Sequence, residues 1–210
     1  MALLNGHNIR NPVTDNGHAK GRLPPPSSIL ATHIAPTHGS ALPDVDPKIF
    51  AQLIDECLGY DEDAQPRVGT DVAVNYRLIC VIVKVGIDPI SNAHDDPFKA
   101  QGRDSDHLVR CLDVIDIAIR RSPLVLYALS GPDDLGPEDH NVPLFIWLIP
   151  KLLWLLGEGQ DEFGSVSSKS WFVLSNLVAC ARSCSSSHGE CESVANYIAS
   201  CASGRNSSSV

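Results

Sequence analysis

One apolar run leaves this chain few ways to fold: Val142-Pro-Leu-Phe-Ile-Trp-Leu-Ile-Pro-Lys-Leu-Leu-Trp-Leu-Leu156. Almost none of its side chains can face water, so the run must be covered on nearly every side. A bilayer would cover it, but a span needs about 20 apolar residues. This run is shorter and carries Pro150 and Lys151 in its middle. It therefore reads as a buried helix, opened by Pro143, closed at Gly157 and kinked at Pro150. Leu144, Phe145, Trp147, Leu148, Leu152 and Leu155 are the expected centre of the packing.

Other helices must wrap it, and the remaining pattern supplies them. Residues 1–26 are rich in Asn, Gly, His and Pro and end in Leu23-Pro-Pro-Pro26, the composition of a disordered or extended tail. A short helix is predicted from Ser27 as N-cap, with Ile29, Leu30 and Ile34, stopped by Pro36. Asp46-Pro47 is a clearer start, because proline's missing N–H would have no partner in a first turn anyway. Ile49, Phe50, Leu53, Ile54, Cys57 and Leu58 follow at helical spacing, and Gly59 is expected to end the helix in the left-handed conformation. An acidic loop runs from Tyr60 to Thr70. The stretch Asp71–Val85 is rich in β-branched residues, but strands usually run about 4–8 residues and it is about twice that. It is read as a helix capped by Asp71 and stopped by Gly86.

A long loop is expected over Ile87–Arg103. Asp104 or Ser105 then caps a helix whose stripe is Leu108, Leu112, Ile115 and Ile119, with Asp106, Arg110, Asp113 and Arg120 on other faces. Ser122-Pro123 breaks it and begins a short helix, Leu124–Leu129, ended by Gly131-Pro132. Past the apolar helix, two more are predicted: Val166–Arg182, with Trp171, Leu174, Val178 and Ala181, and Glu190–Cys201. The pattern is all-α, a helical-repeat, α-solenoid-like array of antiparallel helices over 27–202, between disordered tails at 1–26 and 203–210. The pairs 46–58 with 71–85 and 105–121 with 143–156 resemble solenoid units, although no strict repeat period is visible.

Composition narrows the function. A net charge of −9, with 16 Lys and Arg spread along the chain, argues against direct binding to nucleic acid or anionic membrane. Met1–Arg10 has no apolar run suited to a secretory signal. Seven cysteines, an odd number, then point to reduced thiols in the cytosol or nucleus, and Asn206-Ser-Ser208 has no glycosylation role. Cys57, Cys80, Cys111 and Cys180 lie in apolar helical patterns, where a thiol is a small core residue.

No motif found here carries chemistry. Cys180, Cys184, His188 and Cys191 are residue types that bind zinc, but they lack the close Cys pairs of structural sites. They read as unliganded thiols in a Ser-rich stretch, with a small zinc-binding helical protein as an alternative. Asp161-Glu-Phe-Gly164 resembles a kinase Asp-Phe-Gly with an insertion, yet no phosphate loop, lysine or His-Arg-Asp loop precedes it. Asp95-Asp96 and Asp133-Asp134 lack the alternating spacing of a calcium loop. The expectation is no catalytic residue, no cofactor and no metal ligand. Trp147, Trp154 and Trp171 read as core.

Several segments together resemble a known family. Leu23-Pro-Pro-Pro-Ser-Ser-Ile29, Asp95-Asp-Pro-Phe98, Leu112…Ile119…Ser122-Pro-Leu-Val-Leu-Tyr127 and, above all, Pro143–Gly157 look like the beginning of fungal ATR-type checkpoint kinases. These are giant serine/threonine kinases of the phosphatidylinositol-3-kinase-related class, and the likeness runs in order over about residues 23–182. The resemblance implies a nuclear helical solenoid that docks a regulatory protein subunit, which in turn reaches coated single-stranded DNA. It also implies a kinase domain far beyond Val210, so that this chain is a fragment supplying binding only. A fragment without its neighbouring repeat is expected to expose Trp171 and Phe172 and to self-associate. The competing reading is a free-standing helical adaptor.

Overall fold

Proline and aspartate set the helix starts. The structure, a computed structural model, describes residues 25–34, 45–88, 105–129, 142–158, 164–184 and 188–206. The N-terminal tail up to residue 24, the stops at Pro36 and Gly131-Pro132, the loop 89–103, the Asp104 cap and residues 207–210 lie outside these. Helix α1, Pro26–His33, begins one residue before the expected Ser27 cap. Proline already has the backbone angle of a first turn, and the N–H groups of Ser28 and Ile29 both return to the Pro25 carbonyl, at 2.9 and 3.3 Å. Helix α2, Pro47–Leu58, starts as its sequence predicts, with Asp46 accepting from the Lys48 N–H at 2.8 Å. Gly59 corrects the expectation for its other end. Its φ of −75° and ψ of 166° are extended, and the chain leaves directly into a loop whose Arg67 N–H returns to the Gly59 carbonyl at 3.1 Å.

Helix α3, Val72–Val81, is capped by Asp71, which accepts from the Val74 N–H at 2.9 Å. Gly86 does not stop it. The helix widens into a π-helical turn over Ile82–Ile87 that buries Gly86. A Cβ there would lie 2.7 Å from Cys111 Sγ and 3.1 Å from Phe50 Cζ, so the glycine serves close packing. Helix α4, Ser105–Arg121, buries Leu108, Leu112, Ile115 and Ile119 as its stripe predicts, together with Cys111, Val114 and Ala118. A 3-10 turn, Pro123–Tyr127, follows, and the Leu144 N–H bonds the Ala128 carbonyl at 3.0 Å to bring the chain back. Beyond it lie α5, Leu144–Glu158, α6, Gly164–Cys184, and α7, His188–Asn206. The chain is all-helical: among the described residues there are two isolated bridges, Tyr60 with Pro66 and Leu129 with Pro143, and no strand.

Helix α5 is the buried helix foreseen, but its centre shifts. Leu144, Phe145, Leu148, Ile149, Leu152 and Leu155 are buried, whereas Trp147 is half-buried with Lys84 and Lys151 5.9 and 5.1 Å from its ring centre. The helix runs on through Pro150, which is exposed. Proline has no N–H for the carbonyl four residues back, that of Ile146. The Tyr197 hydroxyl donates to that carbonyl instead, at 3.1 Å. Tyr197 also stands edge-on to Phe145, with ring centres 5.9 Å apart. Val194, Tyr197, Ile198 and Cys201, spaced as one helical stripe, lay α7 against the core. This helix continues through Ser203 to Asn206, where a tail was expected. Ser203 Oγ bonds the Ala199 carbonyl at 2.8 Å, so the serine is absorbed by the helix itself.

The packing order departs from the expected pairs. Helix α4 makes its most extensive contact with α6, and α5 packs on α6 and α7. Helices α2 and α3 lie on α4, and α1 on both α2 and α3. The link from α4 to α5 is long and contains its own turn, so neighbours in sequence need not be neighbours in space. Arg77 donates to the Ile34 carbonyl, and Lys151 pairs with Asp88 at 2.6 Å, joining α1 to α3 and α3 to α5. No helix among the described residues is long and apolar enough to cross a membrane.

Candidate protein-interaction groove

The loop after α2 is built, not merely a connection. Asp61 accepts from the N–H groups of Asp63 and Gln65 at 3.0 and 2.8 Å, and its own N–H returns to the Gln65 carbonyl at 2.8 Å. Ala64 completes the turn in the left-handed region, φ 57°. Tyr60 is thereby set opposite Pro66 and left 68% exposed. Buried Glu56 pairs with Arg67 of the loop.

Between this loop, α4 and α6 lies a groove of about 440 Å³. Its floor is organised by Asp116, which the sequence reading did not single out because it sits among the apolar positions of α4. Only 2% exposed, Asp116 accepts from Arg120 Nε and a second Arg120 nitrogen at 3.0 and 2.8 Å, and from Asn176 Nδ2 of α6 at 2.7 Å. Both carboxylate oxygens are satisfied, as a buried charge requires. The signal available beforehand was Arg120 four residues later, one helical turn on. Asp113 and Arg120, expected on polar faces, do line the groove; Arg110 instead pairs with Asp55 of α2.

The walls differ in character. Lys169 pairs with Asp113 and lies 4.7 Å from the centre of the Phe172 ring. Arg121 gives its Nε to the Val68 carbonyl at 3.2 Å and has no carboxylate partner among the described residues. Phe172 is 49% exposed and its neighbour Trp171 60%. Trp171 thus corrects the core reading, while Trp147 and Trp154 are half-buried against the core.

The other candidates do not converge on chemistry. Cys111 Sγ lies 3.7 Å from His107 Nε2, a Cys–His pair by distance. Cys111 is fully buried, though, and burial pushes its thiol up to about 12, so no thiolate nucleophile forms at neutral pH. Burial, reinforced by Glu56, raises the Cys57 thiol to about 12 as well. Cys180 and Cys184 lie one turn apart on α6, and Cys180 is raised by burial, then by Cys184 and Asp116, against Arg120. The side chains of His188 and Cys191 lie outside those described. Among the described residues no three His, Cys, Asp or Glu form a metal group. Of Asp161-Glu-Phe-Gly164 only Gly164 is described, as the first residue of α6; Asp95-Asp96 and Asp133-Asp134 lie outside. No model of a known protein family, no curated protein and no solved structure matches the chain.

Proposed function

We propose that this chain is a helical scaffold segment that acts by binding protein, as the N-terminal region of an ATR-type checkpoint kinase does, with no catalytic step of its own. One observation carries the reading. Two adjacent aromatic residues, Trp171 and Phe172, stand open to water on α6, and Phe172 lines a preformed groove. Aromatic side chains bring large contact area for little entropy, and at interfaces they account for much of the binding energy. In this reading the partner is a regulatory protein subunit in the nucleus, and DNA is reached through it, in keeping with the net charge of −9. A free-standing adaptor would use the same surface. The kinase assignment is tested by sequencing transcripts beyond the codon for Val210. An open frame leading into kinase motifs is the expected result; an immediate stop in every transcript would overturn it and leave the adaptor.

A further inference from the structure

We propose that the groove between the 59–70 loop, α4 and α6 receives a peptide segment with an aromatic anchor and a single adjoining carboxylate. This rests on the reading of the chain as a protein-binding scaffold and adds the chemistry of what binds. The groove's charges are already sorted. Asp116 is taken up by Arg120 and Asn176, and Asp113 by Lys169. Among the described residues Arg121 meets only the Val68 carbonyl and no carboxylate, on a chain of net charge −9. A carboxylate beside Arg121 would complete the set, since guanidinium matches carboxylate in shape as well as charge.

The apolar part of the fit comes from Tyr60 on the loop and Phe172 on α6, which both line the groove and both remain exposed. A ring entering between them would bury all three. The volume of about 440 Å³ is in the range of a ligand pocket, room for one anchor and its flanking backbone. The site is also preorganised, because the Asp61 turn fixes Tyr60 and the Asp116 network fixes Arg120 before anything binds. Nucleic acid shares the taste for arginine and aromatic rings, but it brings a run of phosphates, whereas among the described lining residues one guanidinium, that of Arg121, lacks a carboxylate partner.

Fluorescence anisotropy on the full chain tests this, with a short labelled peptide of Gly and Ser that holds one Asp beside a central Phe as probe. The expected result is saturable binding that weakens as salt rises. Arg121→Glu and Phe172→Ser should each weaken it about tenfold or more. An alanine-centred peptide should bind more weakly, and labelled oligothymidylate should not compete. Far-UV circular dichroism checks the fold of each variant; if Arg121→Glu fails to fold, exposed Phe172→Ser carries the test. Absent binding, binding indifferent to both substitutions, or displacement by oligothymidylate would overturn the proposal. If the peptide fails while association through Trp171 persists, the groove assignment alone falls. If both fail, the scaffold reading falls with it.

Discussion

Cys57 and Cys111 show how burial alters a single group. An unfolded thiol ionises near 9.0, whereas burial raises both to about 12 in the folded chain. The unfolded state therefore loses its protons first as pH rises. The stability these thiols contribute is full below about pH 9 and is lost between there and about pH 12. Urea midpoints should fall from about pH 8 to about pH 10.5, and fall less in a Cys57→Ala/Cys111→Ala chain. Gly86 makes a second residue-scale claim. With Cys111 Sγ 2.7 Å from where its Cβ would be, Gly86→Ala should cost about 1–3 kcal/mol in denaturant unfolding. The cost should shrink in a Cys111→Ala background. A glycine after an apolar run looked like a helix stop, and nothing local distinguished a stop from a close approach by a helix some 25 residues on. The burial of Asp116 was hidden in the same way, since its partner Asn176 comes from another helix.

Among the elements, those governed by neighbours in sequence were legible. The caps at Asp46-Pro47 and Asp71 and the stripe of α4 were read correctly because each depends on residues within a turn or two. The passage of α5 through Pro150 was legible too, but the partner of the freed Ile146 carbonyl, Tyr197, lies far along the chain and was not. If Tyr197 replaces the missing N–H, Tyr197→Phe should cost about 1–2 kcal/mol. In a Pro150→Ala background the Ile146 carbonyl regains its helical donor, and the same substitution should be nearly neutral. A double-mutant cycle by urea unfolding measures that coupling. Burial also reorders the side chains of α5: Leu148→Ala should cost about 2–5 kcal/mol, and half-buried Trp147→Ala less, the reverse of what ring size alone suggests.

At the scale of the molecule, the helical class followed from periodicity, because amphipathic stripes must be buried whatever they meet. Which helices meet did not follow. The partnership of α4 with α6 is a matter of surface fit between segments well apart in the chain, and no repeat period marks it. Of the groove, Asp113, Arg120 and Phe172 were visible as residues, but their convergence with Tyr60 is a product of packing. Among the described residues Trp171 and Phe172 are two of the large apolar side chains left exposed by that packing, and the scaffold reading depends on them. Sedimentation velocity of the purified chain over a range of concentrations tests it most directly, alongside Trp171→Ser. The account predicts association that grows with concentration and is relieved by Trp171→Ser. A monomer at every concentration, or association unchanged by Trp171→Ser, would contradict it.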